Sequence, residues 1–476
     1  MIGVISVNTL RRKSRQLSDL GERKDYPVDS SAIARLSTVL RIPTISFDSY
    51  EGQLPDSLNA SWAFDSLLRT FRTFFPKTFE VLQATAINEH SLLLHWKGKS
   101  REGKPGILYA HLDVVPAGES PERPWSHDPF GGVSDDRFVY GRGAIDDKGS
   151  AMAILEAVER LIRKGFTPAY DVYIAFGHDE EDTGLKGAGQ IAAYLKQNNI
   201  RAEFVLDEGG LIATDMVPFV KAPVALVATS EKGYMTVELS TEGRGGHSSY
   251  PSPNPPVERI AGAIERIHEH PFPRRMSTSV ADFMDYAGPE MDFPFNAVFA
   301  NRWLFKSVVF GEYEKIPSAN AMIRTTAVTT MIDGGVKENA IPARVWAKIN
   351  VRILPGDSSA GVLGTIKSLI DDSTIVVRAI SPVTEPSVVS STEAPAFKKI
   401  QEAIHEVFPD VVVAPTLLIG QTDSRHFREV TDNIYRFLPV RMTNDILDGL
   451  HGSDEKIGIG EYLESIEFYY TFLSIL

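Results

Sequence analysis

A chain of 476 residues is too long for one compact core of ordinary size, so at least two domains are expected. Hydrophobic residues at 43% and charged residues at 23% match a globular protein and exclude long disorder, and a formal net charge of −13 leaves no electrostatic footprint for nucleic acid or anionic lipid. With no cysteine there is neither a disulfide nor a thiolate, so a metal has only histidine and carboxylate to bind. The apolar start, Met1 to Val7, precedes Arg11, Arg12, Lys13 and Arg15. That order is the reverse of a secretory signal. No apolar run approaches the ~20 residues of a membrane span. The expectation is a cytoplasmic protein with no membrane partner.

A polar arm to about residue 55 holds a predicted helix over 30–40 and a loop over 41–47. A second helix pattern covers 60–74, and stretches at 79–82 and 91–96 alternate like strands. The first near-continuous apolar strand, 106–110, runs straight into His111-Leu-Asp113. A short strand at 138–140 leads to Tyr140-Gly-Arg-Gly-Ala-Ile-Asp-Asp-Lys-Gly149, where Asp146 and Asp147 follow a glycine-rich turn. From Lys148, Ala151, Ile154, Leu155, Val158, Leu161 and Ile162 recur at helical spacing. Another buried-strand pattern at 171–176 ends at Asp179-Glu-Glu181, a helix covers 187–197, and a strand at 202–206 ends at Asp207-Glu208. Strands alternating with helices predict an α/β domain with a largely parallel sheet flanked by helices, whose ligands collect beyond the carboxyl ends of the strands. His111, Glu180, Glu181 and Asp207 all fall there, and Asp146 opens a helix on the same rim.

From 234 the pattern changes to one alternating strand, followed by Gly246-His-Ser-Ser249 and a helix at 256–268. The aromatic and proline-bearing stretch 272–323 reads as a helical insert, and strands at 325–331 and 344–353 close an inserted α+β unit. The predicted division is 1–235 and 357–476 for a catalytic domain, with 236–356 as an inserted lid. Helices at 360–370 and 394–407, a strand at 373–380 and a final helix from 461 complete the chain.

Each acid or histidine on the rim has an ordinary explanation when taken singly. A Gly-Asp-Asp helix start is commonly a cap, His111 at a strand end a core residue, Glu180-Glu181 a solvated turn, and Asp207 an N-cap. Their combination is another matter. His111-Leu-Asp113, Gly143-Ala-Ile-Asp-Asp147, Asp179-Glu-Glu181, Asp207 and His451-Gly-Ser-Asp-Glu455 resemble, in order and interval, the signature of the di-zinc metallopeptidases that include carboxypeptidase S, glutamate carboxypeptidase, carnosine dipeptidase and the aminoacylases. Within that family the resemblance is to the branch of carboxypeptidase S and the N-fatty-acyl-amino-acid synthase/hydrolase. It runs from about residue 35 to the end and includes Gly335-Val-Lys-Glu-Asn-Ala-Ile-Pro342 and Thr422-Asp-Ser-Arg-His-Phe427.

The resemblance implies two zinc ions per subunit, with cobalt or manganese as substitutes: His111, Asp146 and Asp207 on one, Asp146, Glu181 and His451 on the other. It also implies that Glu180 is the general acid/base, that Asp113 orients the His111 ring, and that the Asp146–Asp147 peptide is cis. The chemistry is consistent with that assignment. Two zinc ions ~3.5–4 Å apart need a carboxylate spanning both, and they bring the pKa of a bridging water toward ~7. Of two adjacent glutamates, one can ligate while the other takes the proton of that water.

From the inserted unit the resemblance adds His247 as a donor to the oxyanion, Arg352 as the grip on a terminal carboxylate, and Asn339 as a contact to the substrate carbonyl; Thr422 and Ser424 belong to the pocket wall. His127, His178 and His426 read as supporting residues. The expected activity is hydrolysis of an amide next to a free C-terminal carboxylate in a small peptide or N-acyl amino acid, with dimerisation through the inserted unit. A dipeptidase or deacylase of the same family is the alternative within enzymes, and a metal-free scaffold the alternative outside them.

Overall fold

The computed structural model describes residues 1–46, 61–118 and 124–476. The expected helix start at Ala60, the end of the arm at Pro55 and the end of the loop at Phe47 lie outside the described residues. A mixed, mostly parallel sheet of ten strands forms the centre. Gly106–His111 pairs in parallel with Val172–Gly177 on one side and Phe204–Asp207 on the other. Ser91–Trp96 pairs antiparallel with Val172–Gly177 and Gln83–Ile87 closes that flank antiparallel to it, and Val412–Leu418 pairs in parallel with Val224–Glu231 on the other side.

Strand periodicity divides this sheet's side chains between two cores. Leu108, Ala110, Ile174 and Phe176 join the larger core beneath the helices Lys148–Arg163 and Ile459–Ser474. Their neighbours Ile107, Tyr109, Tyr173 and Ala175 face the helix Ala188–Gln197 through Ala188, Ile191 and Leu195. With both faces covered, these strands read in sequence as unbroken apolar runs.

The second sheet has four antiparallel strands in the order Thr326–Asp333, Arg344–Ile353, Gly233–Glu242, Ile375–Thr384. Only one face is covered, by the helices Pro256–Glu269 and Ser359–Ile370, so Val345, Ala347, Ile349, Val351 and Ile353 alternate with more exposed residues. A single residue, Lys232, separates the strands that belong to the two sheets.

Two expectations are corrected by the packing. Residues 79–82 are not a strand: Pro76 opens a short helix, Pro76–Val81, because a proline is suited to a first helical turn, and the strand begins at Gln83. The predicted unit 236–356 does not coincide with the second sheet. The strand Ile375–Thr384 and the helix Ser359–Ile370 belong to that sheet, whereas the helical insert packs into the first core through Val280, Met284, Val309, Phe310 and Ile323.

Candidate metal centre

Three parallel strands end at one rim, and each is followed by an acid or ends in the histidine. His111 is the last residue of its strand and is wholly buried. Asp146 stands two residues before the helix Lys148–Arg163, and its carboxylate spans two histidines: Oδ1 lies 2.8 Å from His111 Nε2 and Oδ2 lies 3.0 Å from His451 Nε2. Glu181 Oε2 is 3.2 Å from the same His451 nitrogen. The result is two clusters, His111–Asp146–Glu208 and Asp146–Glu181–His451, with donor atoms within 4.8 Å of one another in each.

Asp207, the expected ligand, is not in either cluster. Its Oδ1 accepts from the Glu208 amide at 2.9 Å and its Oδ2 from the Ser424 amide at 2.9 Å, so both oxygens serve the loop behind the rim. Glu208 takes the place instead, with Oε1 3.5 Å from His111 Nε2. Successive side chains at the end of an extended strand point to opposite sides, and only one of an acid pair can reach the site. The doublet Asp207-Glu208 was the available signal.

Neighbouring side chains hold this geometry. Asp113 accepts from the amides of Glu180 at 3.1 Å and Glu181 at 3.0 Å, and its Oδ1 lies 3.4 Å from His111 Nδ1. Asp113 thus positions both the ring, whose Nδ1 lies 3.0 Å from its backbone carbonyl, and, through its carboxylate, the glutamate turn. Glu455, quoted in the motif but given no role from sequence, accepts from the amides of Gly143, Ile145 and Asp146 and from Arg142 Nη1, fastening the turn that delivers Asp146. Gly143 has φ +90, and a Cβ there would meet Val114 Cγ1 at 2.8 Å, so this turn requires glycine. The Asp146–Asp147 peptide is cis, as the resemblance implies.

The electrostatics identify what the cluster lacks. Burial, with neighbouring carboxylates adding to it, pushes Glu180 and Asp147 well up, Glu181 up, and Glu208 up to about 8. Burial alone would lower an imidazole, but Asp113, Asp146 and Glu208 outweigh it and hold His111 well above its usual range. Hydrogen bonds to Asp146 and Glu181 raise His451 to about 10. So many buried carboxyl groups ionise together only beside added positive charge. Glu181 Oε1, a buried acceptor with no hydrogen-bond partner among the described residues, points to the same need. Oxygen and imidazole donors with one shared carboxylate fit a pair of divalent cations.

Glu180 lies at the edge of the clusters with Oε1 3.7 Å from Arg425 Nη1. Arg425, which sequence reasoning left without a role, is held by the carbonyls of Thr422 and Thr183. Arg352 lies over the Tyr234 ring at 5.0 Å, and burial, with the like charge of Arg425 adding, lowers its pKa. Thr422 and Ser424 are buried, their hydroxyls 2.6 Å apart, and support the Asp207 loop. His247 and Asn339 come together elsewhere. The ribbon formed by Gly246–His247 and Ala340–Ile341 is exposed, Ser248 N donates to Asn339 O at 3.1 Å, and the His247 ring contacts Ser249 and Tyr250. None of these bonds reaches the clusters. His178 bonds Ser91 at 2.7 Å and His426 the Thr183 carbonyl at 3.1 Å, both as supporting groups.

Residues 107–474 match the model of peptidase family M20/M25/M40. The chain is 38% identical to a probable carboxypeptidase S-like protein of Dictyostelium discoideum, over 93% of this chain and 84% of that protein. It is 34% identical to an N-fatty-acyl-amino acid synthase/hydrolase of Mus musculus, over 92% of this chain and 86% of the other. An M20 family metallo-carboxypeptidase of Sulfolobus solfataricus has the same fold, with a TM-score of 0.67 at 20% identity over 94% of this chain and 99% of that one. Human carnosine dipeptidase 1 aligns with a TM-score of 0.61 at 15% identity, over 100% of this chain and 98% of that one.

Proposed function

Because the chain belongs to peptidase family M20/M25/M40, we propose that the acid cluster hydrolyses an amide bond next to a free C-terminal carboxylate, as a carboxypeptidase or an N-acyl-amino-acid hydrolase. The observation that carries this reading is Asp146, whose two oxygens face His111 and His451 separately. His111, Asp146 and Glu208 would hold one divalent cation, and Asp146, Glu181 and His451 would hold the other. Zinc suits the donors, with cobalt or manganese accepted by the same set. When bound, such a pair would supply Lewis-acid polarisation of the scissile carbonyl and would make a water acidic enough to attack near neutral pH.

The protein's own groups do the rest. Glu180 accepts a proton from the attacking water as the C–O bond forms, then returns it to the amide nitrogen as the C–N bond breaks. Arg352 and Arg425 bind the substrate's carboxylate, a planar anion that a guanidinium matches. His247 and Asn339 complete the site when the exposed ribbon approaches a substrate, either by closure of their own subunit or from a second copy across a dimer. Among the described residues no helix is long and apolar enough to cross a membrane; we place the enzyme in the cytoplasm.

Elemental analysis combined with a panel of dipeptides and N-acyl amino acids tests this reading. Two equivalents of metal and cleavage on the amino side of a free carboxylate are expected. A metal-free protein inactive on the whole panel, even after zinc is added, overturns it.

A further inference from the structure

The loop that follows Val412–Leu418 carries an acid to which no role has been given, Asp423. It is wholly buried, and a carboxylate in that position is costly to hold unless its neighbours answer its charge. One oxygen, Oδ2, accepts from the hydroxyl of Tyr109, on the strand that ends in His111. The other, Oδ1, has no hydrogen-bond partner among the described residues. It faces Arg425 Nη2 at 3.7 Å and His426 Nε2 at 3.9 Å. Burial, with the like charge of Arg425 adding, pushes His426 down to about 4, so the charge that Oδ1 meets at neutral pH is the guanidinium.

The surrounding chain makes room for this acid. Gly177 and Gly184 bracket the turn that carries Glu180 and Glu181; a Cβ on the first would overlap the Tyr109 hydroxyl, and a Cβ on the second would overlap Asp423 Oδ1. Both ends of the glutamate turn therefore rest on the Tyr109–Asp423 pair. Arg425 is fixed from the same two sides: Nη1 donates to Thr422 O at 2.7 Å, in its own loop, and Nη2 to Thr183 O at 2.8 Å, in the glutamate turn. The guanidinium thus stands between two carboxylates, with Nη1 3.7 Å from Glu180 Oε1. At that separation neither acid is hydrogen-bonded to it, and each acts through charge. Burial would lower the Arg425 pKa, but Asp423 first, then Glu180 and Glu231, outweigh it.

We propose that Asp423, tethered by Tyr109, is the positioning residue for Arg425: its charge sets the guanidinium in the place from which it meets the substrate's carboxylate, while Asp423 itself touches neither substrate nor metal. The inference rests on the carboxylate-binding role given to Arg425 above.

A double-mutant cycle on the metal-loaded enzyme tests it, with kcat and KM measured for the best-cleaved substrate of the panel. Burial pushes the Asp423 carboxyl up to about 7, so assays at about pH 8 meet the ionised form. Asp423→Asn is expected to raise KM about fivefold, with kcat within about twofold and full metal content. In the Arg425→Ala background the same change is expected to leave KM within about twofold of the single variant, because the group it acts on is gone. Tyr109→Phe keeps the charge and loses the tether; it is expected to raise KM by about twofold to threefold, again only while Arg425 is present, and it carries the cycle if Asp423→Asn does not fold. An unchanged KM, increases that add independently of Arg425, or a loss of metal overturns the positioning role and leaves Asp423 as a support of its loop. If Arg425→Ala itself leaves KM unaltered, the carboxylate-binding role of Arg425 falls, and the inference falls with it.

Discussion

The metal centre and the ribbon carrying His247 differ in how they are held. At the rim, the carboxylates of Asp113 and Glu455 accept six hydrogen bonds that fix the Glu180-Glu181 turn and the Asp146 turn, all beside strands buried on both faces. The ribbon pairs through two residues on each side and leaves its histidine exposed. Groups that bear the charge of a reaction must be preorganised, because reorientation would forfeit their electrostatic advantage. Groups that close over a substrate must first leave room for it.

This contrast can be broken at several points. The largest effect belongs to Glu180→Gln, which removes the proton carrier without touching a cluster member; kcat is expected to fall ~10²–10⁴-fold with full metal content, and near-normal turnover would remove Glu180 from its role. Next, His247→Ala should lower kcat by up to ~10²–10³-fold while both metals remain. Loss of metal on that change would place the ribbon in the centre rather than over it. Metal analysis separates Glu208→Gln from Asp207→Asn: the first is expected to lose one cation, whereas the second keeps both, and the reverse order would restore Asp207 as the ligand. Arg425→Ala should raise KM by about tenfold or more, as expected from loss of a charge-assisted hydrogen bond worth ~1.5–3 kcal/mol. A change confined to thermal stability would instead make Arg425 a structural residue.

The smallest effect sharpens the junction between the two sheets. Lys232 sits between them, donates to the carbonyls of Ala321 and Arg324, both at 2.9 Å, and is pushed down to about 7 by burial, with Arg352 adding. An unfolded lysine holds its proton to ~10.4. Between those values the unfolded chain binds the extra proton, so this residue's contribution is present at high pH and is lost as pH falls through about 7. Urea midpoints measured across that window should therefore rise more steeply with pH in the wild type than in Lys232→Met; equal slopes would mean that the junction lysine does not titrate there.

Much of the rim was legible from residue order. His111, Asp113, Asp146, Glu180, Glu181 and His451 all stand where motif and strand ends implied, because a parallel strand buried on both faces leaves a long apolar signature that stops at the functional residue. The choice between Asp207 and Glu208 was not legible. Both are carboxylates at the same strand end, and the outcome depends on which one the amides of Glu208 and Ser424 capture, the second of them more than 200 residues further along the chain. Glu455 and Arg425 were overlooked for a related reason: their partners, the Gly143–Asp146 turn and Glu180, lie far away in sequence.

Local pattern was enough to determine the alternation of strands and helices, the position of the acids at strand ends and the restriction of any metal to oxygen and imidazole donors, since these follow from periodicity and composition within a few residues. The allegiance of the helical insert was a tertiary decision. Its apolar faces could have covered either sheet, and only the close fit of Val280, Met284 and Phe310 into the first core turned it into a wall beside the metal centre.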